Sequence, residues 1–204
     1  MPYNKDDHAR QYLSDFRMLA NVLFALCMFA SVLNIEFTSS QMSEPDLLAL
    51  LRNNATALGN FVVAFVFLAM YWVKFVGKLH YTVRTDTWML MLWLAYLAVV
   101  CLYPCAENLL GNFPGSVVAQ IFFSSLWAVI GIIGILNWWY ANYANLIDEK
   151  MSDSDSRRLM YESFPEPVFA LISVPFALYS DFAYYAVMLM IVPANLYIAK
   201  KFPD

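Results

Sequence analysis

The chain has 204 residues, of which 61% are hydrophobic and 14% are charged, and its mean hydropathy is +0.55. A soluble domain of this length needs a far more charged surface, so the composition excludes a soluble globular protein and indicates a membrane protein. The formal net charge is −4, and no Lys- or Arg-rich block interleaved with aromatic residues suggests a nucleic-acid partner.

Six apolar segments are predicted to cross the membrane, since a spanning helix needs about 20 mostly apolar residues. They cover approximately 16–36, 56–76, 87–106, 117–141, 166–180 and 182–199. The first lacks a small-x-small cleavage pattern, which favours a retained helix over a signal peptide. The fifth is short and contains Pro175, so a re-entrant or interfacial segment is an alternative there. We therefore predict an all-α polytopic membrane protein that forms one domain over residues 1–204.

The basic residues indicate the orientation of these segments in the membrane. With six spans, eleven of the 12 Lys and Arg residues fall on one side, and Arg52 alone falls on the other. Because cytoplasmic loops carry an excess of Lys and Arg, both termini are predicted to be cytoplasmic, in a multi-pass protein of the plasma membrane. A chain with five spans would place Lys200 and Lys201 outside, which favours a full crossing by the fifth segment.

Two loops carry further patterns. The outer loop 37–52 contains "SEPDLLALL", in which Ser43 is a candidate N-cap of a short surface helix. The stretch "LIDEKMSDSDSRRLMYESFPEP" is the longest polar segment and is predicted to be a cytoplasmic connection between the fourth and fifth spans.

The sequence carries no pattern typical of an enzyme, a cofactor site or a metal site. His8 and His80 are not placed in a metal-binding motif, and glycine-rich phosphate loops and carbonyl-filter motifs are missing. Cys101 and Cys105 share one helix face and are interpreted as small buried side chains. The predicted spans are nearly free of ionisable groups, which argues against a proton pump. The protein is therefore predicted not to be an enzyme.

The first helix carries a stripe of small and polar side chains along most of its length. On a helical wheel at about 100° per residue, this stripe has bulkier residues at its edges. It consists of Ala20, Cys27, Ser31 and Asn34, with Leu23 and Phe24 beside it. Small residues permit a close helix–helix contact, and the same side chains are also compatible with a narrow, wet path for ions.

The cytoplasmic end of this helix carries Arg10, Ser14, Asp15 and Arg17. Asp15 lies away from the stripe, so it is predicted to point into the protein, where a buried carboxylate needs a hydroxyl or basic partner. In this interpretation Ser14 and Asp15 brace the helix against its neighbours, and the arginines set its depth at the membrane surface.

The pattern resembles the prokaryotic TMEM175 family of potassium channels. That family opens its first helix with Arg-x-x-x-Phe-Ser-Asp, and "RQYLSD" keeps Ser14 and Asp15, with Leu13 in place of the Phe and Arg10 one residue closer. The stretches "LAMYWVKF" and "LYPCAENLLGNFP" are similar to the second helix of the family and to the end of its third helix. The resemblance covers nearly the whole chain.

The resemblance implies a homotetramer, in which the first helix of each subunit lines a central pore. In the family a hydrophobic constriction on this helix provides selectivity, and by motif position it would fall at Ala20, Leu23 and Cys27. The implied function is a potassium-permeable cation channel of the leak type, with K⁺ as the permeant ion and no cofactor. Leu23 is the one large aliphatic residue of the three, and Phe24 is its rival for the position facing the pore.

Two other classes of function stay open at the level of sequence. A small secondary transporter or proton pathway would need an inverted repeat, and the halves 1–104 and 105–204 share no clear motif. A non-conducting membrane scaffold has the same composition as a channel.

Overall fold

The computed structural model describes residues 5–33, 55–113 and 115–201, and these form nine helices. In chain order the helices are α1 (Lys5–Leu33), α2 (Ala55–Tyr81), α3 (Thr87–Val100), α4 (Tyr103–Asn112), α5 (Val117–Tyr143), α6 (Asp153–Tyr161), α7 (Pro165–Ala177), α8 (Asp181–Leu189) and α9 (Ile191–Lys201). The predicted all-α class is confirmed for the described part of the chain. The predicted surface helix after Ser43 lies outside the described residues.

Side-chain caps fix where several helices begin. Asp86 accepts a hydrogen bond from the Met89 amide at the start of α3. The Ser116 side chain accepts from the Ala119 amide at the start of α5, and the Ser152 side chain accepts from the Asp155 amide at the start of α6. Each cap satisfies an amide that the first helical turn leaves without a partner.

Four helical segments of the described chain are long and apolar enough to cross a membrane: Gln11–Val32, Thr87–Asn112, Val117–Tyr143 and Asp181–Ile198. They coincide with the first, third, fourth and sixth predicted spans. The predicted second span lies in α2, which is 27 residues long, and the fifth lies in α7, whose 13 residues reach about 20 Å. Six full crossings therefore stay a prediction.

The helix α5 forms the centre of the bundle. It packs against α7 and α3 most extensively and also contacts α4, while α1 packs against α2, α4 and α3. Aromatic rings fill the space between these helices: Phe75 meets Trp93 edge to face at 4.7 Å, and Phe67 meets Trp127 in the same way at 4.5 Å. Such edge-to-face pairs add to the stabilisation that the buried area already provides.

Two local expectations need correction, and a third region shows more structure than the sequence predicts. The third predicted span is broken after Val100, because Pro104 lies in the first turn of α4 and cannot donate the helical hydrogen bond. Cys101 and Cys105 therefore do not share one continuous helix, and both are exposed rather than buried. The long polar stretch after α5 contains α6, a helix with no fully buried side chain.

Candidate functional site

One face of α1 is buried in the core of the protomer. Ala20 and Ser31 have no exposed surface, and Phe24 and Cys27 are also buried. The Phe24 ring lies 5.6 Å from the Phe75 ring of α2, and the Cys27 Sγ lies 3.9 Å from the Val100 carbonyl oxygen of α3. This buried face is the stripe of small residues that the helical wheel predicts.

The burial of this stripe supports one of its two interpretations at three positions. Ala20, Cys27 and Ser31 pack against helices of their own protomer, and their role in an ion path stays a prediction. The helical periodicity correctly groups them on one face, and the close helix contact is the alternative that the structure supports. Asn34 lies outside the described residues.

Leu23 lies at the edge of the buried face and is partly exposed. Phe24, its rival in the sequence analysis, is only 1% exposed and is part of the core. Beyond Leu23 the surface of α1 is apolar, with Leu19 and Leu26 exposed at spacings of four and three residues. These three leucines form an aliphatic seam along α1, because residues three and four apart share a helix face.

The opposite side of α1 is also apolar and is exposed in the protomer. It carries Met18, Val22 and Phe29, of which Met18 is 67% exposed and Phe29 is 60% exposed. Exposed apolar surface of this extent belongs in contact with lipid or with another protein. One protomer therefore covers only a minor part of α1.

The polar end of α1 differs from the sequence prediction. Ser14 and Asp15 are exposed, and the buried positions beside them are Leu13 and Phe16. Asp15 lies away from the small-residue stripe, as predicted. Because the stripe is the buried side of α1, the Asp15 carboxylate points out of the protomer. The side chain of Arg10 lies outside the described residues.

Arg17 and Asn21 hold this end of α1 to α2. The Arg17 guanidinium donates to the carbonyl oxygen of Leu79, close to the end of α2. A cation near the last turn of a helix also interacts favourably with the helix dipole. The Trp72 indole donates to Asn21 Oδ1 at 2.9 Å, which adds a second polar link between the two helices.

A group of charged and polar side chains lies inside the bundle, between α2, α6 and α7. We call Lys74, Lys78, Ser163 and Glu166 the Lys–Glu cluster. Lys74 forms an ion pair with Glu166, which is only 4% exposed, and donates to the Glu162 carbonyl oxygen at 2.6 Å. The Lys74 ammonium thus lies at the C-terminal end of α6, and the Glu166 carboxylate lies in the first turn of α7. The helix dipole favours a positive charge at the first position and a negative charge at the second.

Lys78 is the more deeply buried lysine, with 5% of its surface exposed. Its ammonium donates to the Gly134 carbonyl oxygen at 2.8 Å and to the Ser163 hydroxyl at 2.7 Å. A buried ammonium needs such acceptors, since its desolvation costs several kcal/mol. The cluster therefore ties α2, α5, α6 and α7 together through charge-assisted hydrogen bonds.

A cavity of about 20 Å³ adjoins the Lys–Glu cluster, beside Tyr71 and Tyr96. This is room for one water molecule. The Tyr71 hydroxyl is buried and has no hydrogen-bond partner among the described residues, so the site offers a polar lining for that water.

This cluster was not predicted, because in the sequence Lys74 and Lys78 count only among the basic residues of the cytoplasmic side. Both residues lie within α2, whose described part extends to Tyr81. Their spacing of four residues at the end of an apolar run was the available signal, because it places both on one helix face. Periodicity alone does not indicate that this face is buried.

The chain is similar to known proteins in sequence and in fold. Residues 16–104 match the family model described as endosomal/lysosomal potassium channel TMEM175. The fold is similar to the crystal structure of a lysosomal potassium-selective channel TMEM175 homologue from Chamaesiphon minutus, with a TM-score of 0.75. That match has 18% sequence identity and covers 95% of this chain and 100% of the other. The chain is thus similar to TMEM175 proteins in sequence over residues 16–104 and in fold over nearly its whole length. Among curated proteins, no significant match to its sequence is found.

The resemblance drawn from the sequence is thereby confirmed. In this TMEM175-like protein the segment that matches the family model begins at Phe16, within α1, and ends at Pro104, at the start of α4. It contains the buried face of α1, the aliphatic seam and both lysines of the Lys–Glu cluster. The structural match extends the similarity to nearly the whole chain.

Proposed function

We propose that this protein is a potassium-permeable leak channel of the plasma membrane, formed by four copies of the chain with both termini in the cytoplasm. The family model and the fold match, both to proteins described as potassium channels, support this function. The four apolar segments long enough to span a membrane are consistent with it.

In this proposal α1 lines the pore, and the observation that carries it is the one-sided burial of this helix. In its apolar window 28% of the residues are buried, compared with 56% in the corresponding window of α5 and 17% in the window Asp181–Ile198. Burial alone therefore does not distinguish α1 from the last span, and the resemblance of the opening of α1 to the pore helix of the TMEM175 family supports the choice of α1. A helix that must cross the bilayer while leaving most of its side chains exposed has a surface free for other subunits. Four such helices around an axis enclose a path that one protomer does not provide.

The proposed constriction is formed by Leu23, with Leu19 and Leu26 of the aliphatic seam on either side of it. These side chains keep exposed surface in the protomer and present bulky apolar groups in one row. A narrow ring of leucines blocks ions by excluding water and conducts when it widens. In this revised assignment, Ala20, Cys27 and Ser31 hold α1 against its protomer, while Asn34 stays a predicted pore-lining residue.

The Lys–Glu cluster favours a second candidate function, a proton pathway or proton-coupled transporter. Ionisable residues inside a membrane bundle often mark such pathways. Lys74 and Lys78 are, however, held by acceptors from several helices, and the Glu166 carboxylate accepts from Lys74 and Asn195. A channel with a structural cluster is therefore the better-supported function.

Flux measurements on purified protein in liposomes separate these functions. A channel produces K⁺ flux down its concentration gradient with no proton gradient applied, and the flux ratios for K⁺, Na⁺ and Cs⁺ measure its selectivity. Saturable uptake that depends on a proton gradient would support the transporter instead. Absence of any flux from liposomes that contain folded protein would contradict both and leave a non-conducting scaffold.

A further inference from the structure

A second, larger cavity lies between α2, α4, α5 and α8, and its lining includes no residue of the Lys–Glu cluster. Its volume is about 360 Å³, within the range of sites that hold small organic molecules. Its walls are mainly aromatic, and they include Phe67, Tyr103, Phe123, Tyr184 and Tyr185. We call this space the aromatic cavity.

One carboxylate lines the aromatic cavity. Glu107 of α4 is only 9% exposed, and its Oε2 is buried without a hydrogen-bond partner among the described residues. A buried carboxylate oxygen is costly unless a donor or a cation compensates for its lost hydration. An unpartnered acidic oxygen in an aromatic cavity is therefore a signal for a ligand.

The surrounding rings indicate which kind of ligand fits. The aromatic rings present negative faces that attract a cation, most strongly one with weakly bound water such as a quaternary ammonium. Tyr103 and Phe123 lie 5.7 Å apart, and Tyr184 and Tyr185 meet edge to face at 5.1 Å. A divalent metal ion fits poorly, because Ca²⁺ takes six to eight oxygen ligands and this cavity supplies one carboxylate.

The aromatic cavity is also accessible. Tyr185 is 42% exposed and Leu189 is 62% exposed, and both lie on α8 at its rim. Glu107, Tyr103 and Tyr184 are buried behind them. A ligand with a cationic head and an apolar body could thus place its head at Glu107 and its body against the rim.

We propose that the aromatic cavity binds an organic monocation of the alkyl- or benzyl-ammonium class, with Glu107 as its counter-ion and the tyrosine and phenylalanine rings as its walls. The site is separate from the Lys–Glu cluster and from the aliphatic seam of α1. It does not depend on whether the protein conducts potassium.

The test measures binding of radiolabelled benzyltrimethylammonium to purified full-length protein in a maltoside detergent by equilibrium dialysis. Saturable millimolar or tighter binding is expected, and Glu107→Gln should weaken it by about tenfold or more because the counter-ion is lost. Glu149→Gln is the matched control, since Glu149 is an exposed glutamate outside the cavity. This control should bind the probe as the unaltered protein does.

A second variant and a neutral competitor keep the test decisive if Glu107→Gln is poorly folded. Tyr185→Leu keeps the carboxylate and removes one ring at the rim, so it should weaken binding of the cation. Neopentylbenzene, an uncharged isostere, should displace the probe poorly. Three results would each overturn the proposal. The first is that folded Glu107→Gln binds the probe as tightly as the unaltered protein does. The second is that the isostere displaces the probe as well as an ammonium compound does, and the third is that the unaltered protein shows no saturable binding.

The cationic group has two natural sources, a free ammonium ion and the headgroup of a choline lipid. If choline displaces the probe and a short-chain phosphatidylcholine does not, the site binds a free cation. Competition by a short-chain phosphatidylcholine as well shows that the site also admits a headgroup.

Discussion

Lys74 of α2 forms an ion pair with Glu166 in the first turn of α7, and Asn195 of α9 contacts both side chains. Three helices far apart in sequence therefore meet at one charged contact inside an apolar bundle. Because Glu166 is almost fully buried, its charge depends on this lysine for compensation.

Glu166→Gln is expected to destabilise the protein strongly. It leaves the Lys74 ammonium without its carboxylate in a site that water reaches poorly, which costs about 3 kcal/mol. The free energy of unfolding in detergent micelles measures this effect. The double variant Lys74→Met with Glu166→Leu removes both charges and should recover most of the loss. If Glu166→Gln unfolds like the unaltered protein, the ion pair contributes little.

Gly131→Ala is expected to destabilise the contact between α5 and α7. A methyl group at Gly131 would overlap the ring of Pro167, which cannot move away as a flexible side chain could. Overpacking of this kind costs about 1–3 kcal/mol. Gly77→Ala is the matched control, because a methyl group there meets no atom within 4 Å and alanine favours the helix. A lower midpoint of thermal unfolding for Gly131→Ala, but not for Gly77→Ala, is the expected result.

Hydropathy predicted where the apolar helices lie because the bilayer demands long apolar segments. The prediction failed where proline interrupts a span: Pro104 in the first turn of α4 divides the third, and the sixth divides at Met190, three residues before Pro193. In both places the average hydropathy stays high across the break.

The sequence predicted only part of the candidate site, and α1 shows why. Periodicity grouped Ala20, Cys27 and Ser31 on one face, but a small polar face suits a helix contact as well as a wet path. Only the positions of α2, α3 and α4 reveal that this face is the core. Lys78 was missed for a related reason, since its acceptors Gly134 and Ser163 lie more than 50 residues away in sequence.

Asp15→Asn is expected to leave the folding of the protomer nearly unchanged, in contrast to the sequence prediction of a buried, paired carboxylate. Asp15 is exposed, and surface substitutions of this kind change stability by about 0.5 kcal/mol or less. Unfolding in micelles tests the protomer. A large loss of stability would show that Asp15 has a partner that the described residues do not provide.

The last prediction concerns the aliphatic seam of α1. If four copies of Leu23 form the constriction, Leu23→Ala should widen and wet the ring, raise the flux and bring the K⁺ and Na⁺ fluxes closer together. Leu23→Trp should suppress the flux. Phe29→Ala is the matched control, because Phe29 lies on the same helix and is 60% exposed but belongs to the opposite side. Ion flux into liposomes, normalised to the amount of folded protein, measures all three variants. Sensitivity at Phe29 with none at Leu23 would show that the pore faces the Met18–Val22–Phe29 side of α1, and insensitivity at both would exclude α1 as the pore helix.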